Sequence, residues 1–550
     1  MTQDSVTARA EAWLAEDPDG DTRAELRALI DSGDGAALAE RFSGLLQFGT
    51  AGLRGELGAG PMRMNRAVVI RAAAGLAAYL KEQGEGGGLV VIGYDARYKS
   101  ADFARDTAAV MTGAGLRAAL LPGPLPTPVL AFAVQHMGAV AGVQVTASHN
   151  PPQDNGYKVY LGGGSQIVPP ADGEIAAHIG AVRALGDVPR PADGWEVLDD
   201  TVLTSYLDRT QAVLTPGSPR TARVVHTALH GVGTRTVLAA FARAGFPAPV
   251  PVAEQAEPDP AFPTVAFPNP EEPGAMDLSF ATARAAQPDV IIANDPDADR
   301  CAVAVPDPAA PAGWRMLRGD EVGALLAAHL VAKGAKGTFA ESIVSSSLLA
   351  RIAAAAGLPY EETLTGFKWI ARVPGLRYGY EEALGYCVDP DGVRDKDGIT
   401  AALLVAEMVS ELKAEGRTLT DLLDELALTH GLHATDQLSA RVEDLSLIAA
   451  SMRRLREHPP TELAGLTVAR AEDLTTGPHG LPPTDGLRYT LSGAHEARVI
   501  VRPSGTEPKI KCYLEAVLPV ADAAALPAAK EAAARLLETL KQDLARAAGL

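Results

Sequence analysis

Four short motifs in this chain combine residue types able to handle a phosphate group and a cation. Thr146-Ala-Ser-His-Asn-Pro151 follows the apolar run Ala141–Val145. A hydroxyl at the carboxyl end of a strand in an α/β sheet lies where such sheets bind ligands, and neighbouring N–H groups and polar side chains can hold phosphate on it. Ser148 is therefore a candidate nucleophile, with His149 beside it. It does not stand in a G-x-S-x-G elbow, and no Gly-Lys pair builds a Walker A loop. Asp295-Pro-Asp-Ala-Asp-Arg300 follows a second apolar run, Val290–Ala293. Carboxylates at alternate positions, Asp295, Asp297 and Asp299, can converge on one hard cation, and an oxygen-only set suits Mg²⁺. An EF-hand is excluded, since Arg300 occupies the place of its turn glycine and Pro306 that of its bidentate glutamate. Arg300 beside such a loop is placed to steady a phosphoryl oxygen.

The other two motifs are of a binding type. Gly379-Tyr-Glu-Glu-Ala-Leu-Gly-Tyr386 offers carboxylates that can accept from sugar hydroxyls and aromatic faces that can cover a ring. Downstream, Val393-Arg-Asp-Lys-Asp-Gly398 brings Arg394 and Lys396 into a glycine-punctuated loop. Arg502-Pro-Ser-Gly-Thr-Glu-Pro-Lys-Ile-Lys511 joins Arg502, Ser504, Gly505 and Thr506 in a compact anion nest, with Lys509 and Lys511 on one face of the following strand. Taken singly, each motif is also what an ordinary surface turn provides. Together they supply a serine acceptor, a cation cradle, a sugar grip and a remote phosphate clamp. Those parts hold a phosphosugar by one end while the other reacts, and in-line phosphoryl transfer needs chiefly positioning and charge neutralisation.

The elements that must position these loops follow an α/β grammar. Short apolar runs (Leu89–Gly93, Arg117–Leu121, Ala139–Val145) alternate with helical patterns near Ala101–Gly113 and Val129–His136. A second block runs from Arg223–Leu229 through a helix near Thr234–Ala244 to Val290–Ala293 and Cys301–Val305. A third begins with a helix over Asp320–Lys333, which the Gly-Asp before it can cap, and continues through Gly337–Glu341, Ser345–Ala356 and Tyr378–Glu381. The last segment has strands at Ala497–Arg502 and Ile510–Ala516 and a terminal helix, without βαβ grammar. The expectation is three related α/β domains (1–205, 206–316, 317–433) with mixed sheets and a smaller C-terminal α+β domain (434–550). Gly231-Val-Gly233 after a strand hints at a dinucleotide turn, but Thr236 stands where the third glycine belongs.

Composition narrows the partners. At 550 residues, with 47% apolar and 21% charged residues, the chain has material for several cores. A net charge of −19 opposes association with nucleic acid or an anionic membrane and leaves a local basic pocket for a small anion possible. Cys301, Cys387 and Cys512 lie apart, with no C-x-x-C pairing, and read as small buried hydrophobes. The start, Met1-Thr2-Gln3-Asp4, carries no basic-then-apolar leader, and no run approaches membrane-spanning length, so a cytoplasmic location is expected.

The set resembles the α-D-phosphohexomutase superfamily, which carries phosphoserine, metal, sugar-recognition and phosphate-binding loops in this chain order. Phe48-Gly-Thr-Ala-Gly-Leu-Arg-Gly55, Asn155-Gly-Tyr-Lys158 and Thr365-Gly-Phe-Lys368 look like further signatures of it, and Phe48–Gly55 with Arg63-Met-Asn65, together with the wording of Arg502–Lys511, resembles most the branch of phosphoglucomutases and phosphopentomutase-like enzymes. The resemblance implies four domains around a central cleft and a mutase that interconverts sugar 1- and 6-phosphates, glucose first, mannose or pentose phosphates as alternatives. It implies that Ser148 carries the phosphoryl group and that Asp295, Asp297, Asp299 and an oxygen on Ser148 bind Mg²⁺. Arg54 and Lys158 match positions near the transferring group, and Lys396 is a second proton-transfer candidate. Glu381 matches the sugar ligand, Thr365, Gly366 and Lys368 fall on the third-domain signature, and Arg502, Ser504, Gly505 and Thr506 on the clamp. Ala383 departs from the pattern, since the serine usually found there would hydrogen-bond the sugar, so the choice among sugars stays open. A sugar 1,6-bisphosphate is the implied primer, and the chain is expected as a monomer or homodimer. A metal-dependent sugar phosphatase and a non-catalytic phosphosugar sensor are the rivals.

Overall fold

The computed structural model describes residues 3–441, 445–503 and 509–550. The described residues form two compact units, one within 1–316 and 385–410, the other within 317–384 and 411–550.

In the first unit the expected alternation appears as two mixed sheets. The strands of the first are β1 Leu53–Glu56, β2 Leu89–Tyr94, β3 Arg117–Leu120, β4 Ala141–Val145, β5 Asp154–Leu161 and β6 Glu196–Val197, in the order β1-β5-β4-β2-β3-β6. β3, β2 and β4 run parallel, and β5 returns antiparallel to β4. The second sheet holds β7 Val224–Thr227, β8 Val250–Pro251, β9 Val290–Ala293, β10 Ala302–Pro306 and β11 Trp314–Met316, in the order β11-β10-β9-β7-β8. There β8, β7 and β9 are parallel and β10 turns back antiparallel on β9. The two sheets thus share one device: a parallel strand followed directly by its antiparallel neighbour, with the joining loop at the carboxyl end. Those loops are the serine and aspartate motifs.

β2 and β4 are buried along nearly their whole length, as continuous apolar runs in a covered sheet should be. The helix Arg66–Glu82 packs on them and is started by Asn65, whose side chain accepts from the Val68 N–H. Three helices that the sequence reading did not name, Gln3–Glu16, Gly20–Asp31 and Gly35–Arg41, precede the first sheet and close a small core around Leu26, Leu38 and Phe42. Gly385–Cys387 is a short strand, β15, and the helix Gly398–Ala414 starts in this unit.

The second unit opens with the helix Gly319–Ala332, one residue earlier than expected, and its cap differs from expectation. Glu321 reaches back to the Arg318 N–H at 2.8 Å, while Asp320 is taken up by the Ser346 N–H at 2.7 Å and the Tyr380 hydroxyl at 3.1 Å. β12 Thr338–Ser342 pairs in parallel with β13 Tyr360–Thr363 and with β14 Leu376–Glu381. The expected element Ser345–Ala356 begins as a serine-rich turn, and its helix is Leu348–Ala355. The last segment forms a six-stranded antiparallel sheet in the order β16-β21-β20-β19-β18-β17: β16 Leu432–Arg441, β17 Glu462–Leu463, β18 Leu466–Asp473, β19 Leu487–Ser492, β20 Glu496–Pro503 and β21 Lys509–Leu518. The helix Leu526–Ala548 supplies Leu537, Leu540 and Leu544 to its core. Cys301, Cys387 and Cys512 are all buried, and none of them is in a disulfide. Among the described residues no helix is long and apolar enough to cross a membrane.

Candidate active site

The serine loop joins β4 to β5, and the aspartate loop joins β9 to β10. Ser148 Oγ donates to Asp295 Oδ2 at 2.6 Å, and Ser148 is only 2% exposed. Both loops contain a non-glycine residue in left-handed backbone conformation, Ser148 at φ 51° and Ala298 at φ 55°. Such conformations are costly and persist where surrounding structure enforces them. At Ser148 the enforcement begins with its own N–H, which donates to Thr146 Oγ1 at 2.9 Å. At Ala298 the N–H closes a turn on the Asp295 carbonyl at 2.8 Å, which brings the alternate carboxylates together.

Asp295, Asp297 and Asp299 are fully buried and offer one oxygen each within 4.8 Å of one another. Asp297 Oδ1 and Asp299 Oδ1 are buried without a hydrogen-bond partner. An oxygen-only trio with two such atoms fits a hard divalent cation, and those three side chains would hold it. Lys158, on β5, sets its Nζ 2.7 Å from Asp297 Oδ2 and 3.0 Å from Asp299 Oδ2. Lys396 Nζ lies 3.3 Å from Asp299 Oδ2, and Arg300 Nε lies 3.8 Å from both Asp295 and Asp299. Burial, then the neighbouring aspartates, push the Asp295 carboxyl well above the usual range. Burial opposes ionisation of Asp297 and Asp299 too, yet Lys158 carries both below that range. The Lys158 ammonium, despite burial, is strengthened in return.

Arg54, on β1 opposite Gly156, donates to Asn150 Oδ1 at 3.2 Å. Its burial weakens the guanidinium's hold on its proton and Asp297 counters that. His149 Nδ1 stands 3.3 Å from Ser148 Oγ. The first unit therefore gathers Ser148, His149, Arg54, Lys158, the three aspartates, Arg300 and Lys396 about one point.

The remaining sequence candidates lie in the second unit. Glu381 ends β14 and is buried; the neighbouring Glu382 accepts from Ser342 Oγ at 3.1 Å and is pushed up to about 7 by burial and then by Glu381. Ala383 follows it, half-buried. Gly366, at φ 109°, stands before the one-turn helix Phe367–Ile370, with Thr365 before it and Lys368 within that helix. Arg502 and Lys511 face each other across β20 and β21. Ser504, Gly505 and Thr506 lie outside the described residues.

Residues the sequence reading missed complete the arrangement. Thr127 donates its hydroxyl to Asp297 Oδ2 at 2.5 Å and its N–H to the Asp297 carbonyl at 2.9 Å. Asp395 accepts from Tyr160 Oη at 2.8 Å and Gln166 Nε2 at 2.7 Å, and its Oδ1 stands 3.4 Å from Lys396 Nζ. Arg97 holds carbonyls of the serine loop. The Gly231-Val-Gly233 turn has no nucleotide task in this frame: a Cβ on Gly231 would meet Pro296 Cα at 2.2 Å, and the Val232 N–H donates to the Pro296 carbonyl at 2.8 Å. Its glycine admits the aspartate loop.

Models of the phosphoglucomutase/phosphomannomutase domains match this chain in order: α/β/α domain I over 45–185, α/β/α domain II over 204–308, α/β/α domain III over 318–429 and the C-terminal domain over 448–533. A Haemophilus influenzae protein described as "Probable phosphomannomutase" is 51% identical over 462 residues, covering 83% of this chain and 93% of its own. The Homo sapiens phosphopentomutase is 35% identical over 562 residues, covering 92% and 90%. A solved phosphoglucomutase/phosphomannomutase family protein from Burkholderia thailandensis shares the fold at a TM-score of 0.68 and 19% identity, covering 90% of this chain and 96% of that one. With all four domain models matched and relatives of this identity along most of its length, the chain belongs to the phosphoglucomutase/phosphomannomutase family of the α-D-phosphohexomutases.

Proposed function

We propose that this family member moves a phosphoryl group between the 1- and 6-hydroxyls of glucose phosphate, carrying it on Ser148. The observation that carries the reading is the 2.6 Å contact of Ser148 Oγ with Asp295 inside a buried trio of carboxylates. A Mg²⁺ held by Asp295, Asp297 and Asp299 would supply charge neutralisation for the migrating phosphoryl oxygens. Lys158, Lys396, Arg54 and Arg300 add fixed positive charge on the same point, which suits a transition state with charge spread over three equatorial oxygens.

In the forward step a sugar hydroxyl oxygen bonds phosphorus as the Ser148 Oγ–P bond breaks. Ser148 Oγ leaves with the bonding electrons and takes a proton from Lys158, and the proton of the sugar hydroxyl passes to the Lys158 amine so formed, which restores the ammonium. Lys158, held as an ammonium by two carboxylates, is the proton donor, and Lys396 is the second group in range of Asp299. The bisphosphate then reorients and returns its other phosphoryl to Ser148. Glu381 grips the sugar, and Arg502, Ser504, Gly505, Thr506 and Lys511 take the non-reacting phosphate. A trace of glucose 1,6-bisphosphate primes the serine.

Ala383 is the observation that favours a second substrate reading, since it removes a hydroxyl from the sugar grip. Relatives described as phosphomannomutase and phosphopentomutase bring mannose and pentose phosphates onto the same test. The purified protein, incubated with glucose 1,6-bisphosphate and Mg²⁺, should gain one phosphoryl group by intact mass, mapped to Ser148. It should then convert glucose 1-phosphate to glucose 6-phosphate faster than it isomerises mannose or ribose phosphates. Release of free phosphate with no isomer formed would replace the mutase by a phosphatase.

A further inference from the structure

The serine loop is held by one side chain. The guanidinium of Arg97 donates from Nη2 to the Ser148 carbonyl at 2.6 Å and the Asn150 carbonyl at 2.5 Å, and from Nη1 to the Pro151 carbonyl at 2.8 Å and the Asp154 carbonyl at 3.1 Å. Its side chain is 1% exposed, and Asp95, equally buried, sits 3.4 Å from Nε and accepts the Arg97 N–H at 3.0 Å. Asp95 is itself fixed, its N–H donating to the Val145 carbonyl at the end of β4 and its carboxylate accepting from Ser100 at 2.7 Å. The flat face of the guanidinium is covered by the ring of Phe262, with the guanidinium carbon 4.8 Å from the ring centroid. Phe262 comes from the segment between β8 and β9, is 3% exposed, and itself sits at φ 46°.

We infer that Arg97, pinned by Phe262, is a positioning residue for phosphoryl transfer: it locks the Ser148 peptide in its left-handed conformation so that Oγ points at the Asp295 carboxylate. The inference rests on Ser148 being the phosphoryl carrier. Three features carry it. The Ser148 carbonyl belongs to the residue at φ 51°, and Arg97 binds it directly, so the bond acts on the strained peptide itself. Two backbone turn bonds, Asn150 N–H to the Ala147 carbonyl and Asp154 N–H to the Pro151 carbonyl, and two side-chain bonds, Ser148 N–H to Thr146 Oγ1 and Asn150 Nδ2 to Asp154 Oδ2, shape the loop locally, while the rigid Arg97 fork ties four of its carbonyls to one group outside it. Phe262 belongs to the sheet system that carries the aspartates. The ring that covers the fork and the carboxylate that receives Oγ therefore come from the same α/β layer, and serine and aspartates are registered on each other through Arg97.

Arg97→Lys keeps the charge and loses the fork. With glucose 1,6-bisphosphate and Mg²⁺, the rate of phosphoryl gain on Ser148, read by intact mass, is expected to fall about 100-fold, the scale of a misplaced reacting atom. The bisphosphate concentration at half-maximal rate should stay within about 3-fold of wild type, because the substrate contacts are untouched. Phe262→Leu keeps an apolar cover and loses the ring face, so its rate should fall by about 3- to 10-fold, in line with a desolvated cation–π contact. A wild-type rate in Arg97→Lys, or a loss expressed wholly as a higher half-saturating concentration, overturns the role. If Arg97→Lys does not fold by circular dichroism, Phe262→Leu decides, and an unchanged rate there overturns it. Wild-type protein that never gains the phosphoryl group takes down the Ser148 reading and this inference together, whereas labelled wild type beside an equally fast Arg97→Lys removes only the Arg97 role.

Discussion

Ser148 and Asp295 stand 147 residues apart in sequence and share a hydrogen bond of 2.6 Å, with both side chains buried. That one contact joins the carboxyl ends of two separate sheets and turns two loops into a single site. Burial, then the neighbouring aspartates, push the Asp295 carboxyl well above its usual range, and a cation among the three carboxylates would relieve that crowding of negative charge. Ser148→Ala should therefore abolish phosphoryl uptake and lower turnover at least about 1000-fold, the scale on which removal of a covalent nucleophile registers. The thermal midpoint should move by only a few degrees, since one hydrogen bond is worth roughly 1 kcal/mol. Retention of more than a few per cent activity contradicts the assignment.

Thr127 grips Asp297 twice, through hydroxyl and N–H, which fixes the direction of the central carboxylate. Asp297→Asn should raise the Mg²⁺ concentration needed for half-maximal activity by far more than Thr127→Val does. For the threonine variant the shift should fall in the range of about 10- to 100-fold, the usual cost of losing a partner that orients a ligand. A magnesium titration of both variants checks this, and an unchanged requirement in Asp297→Asn removes the metal role.

Much of this is legible in the sequence because the motifs are local. A hydroxyl after β4, alternating acids after β9 and the α/β rhythm around them depend on neighbours a few residues away. Arg97, Thr127 and Tyr160 were not legible, since their partners lie 51, 170 and 235 residues distant and nothing in the flanking letters announces them. The Gly231-Val-Gly233 turn shows the same limit from the other side. Its glycines were visible, but only packing against Pro296 reveals what they admit. The six-stranded antiparallel sheet was half hidden for a further reason: β18 alternates weakly and is largely solvent-facing, so its period-two signal is faint.

Tyr160 and Gln166 both donate to Asp395, which lies against the Lys396 ammonium. Tyr160→Phe deletes one donor while keeping the ring in the core. Turnover should drop by about 3- to 10-fold, equivalent to one hydrogen bond of a positioning network, with KM nearly constant. A change confined to thermal stability would leave Tyr160 with packing duties alone.

His226, fully buried behind the aspartate loop, offers a pH signature. Asn294 spends its amide N–H on the Arg300 carbonyl at 2.6 Å, so its Oδ1 accepts from His226 Nε2 at 2.8 Å, and the ring is neutral with a partnerless Nδ1. Burial holds its pKa down at about 4, from an ordinary value of 6.5. Between those values the unfolded chain binds a proton that the folded chain refuses, so the contribution to stability is complete above pH 6.5 and is lost as pH falls toward 4. The loss is on the order of 3 kcal/mol across that window. Urea unfolding of wild type and His226→Gln at several pH values should show a steeper decline in wild type through this range; parallel curves would contradict the account.

Arg498, on β20, closes a buried network in the second unit. It pairs with Glu515 at 3.1 Å and Glu362 at 3.3 Å and donates to the Ser345 carbonyl, while Glu515 also accepts from Ser346 Oγ at 2.7 Å. Burial works against ionisation of Glu515, yet Arg498 and then His433 bring its pKa down to about 2. Arg498→Met strands that carboxylate in a dry interior, and unfolding of the second unit should become easier by about 3–5 kcal/mol, the cost of removing one member of a buried pair. Adding Glu515→Gln should recover most of the loss, because the stranded charge, more than the lost attraction, is what destabilises. Denaturant titrations of the single and double variants measure this, and a double variant as unstable as the sum of the singles would mean that the two side chains act independently.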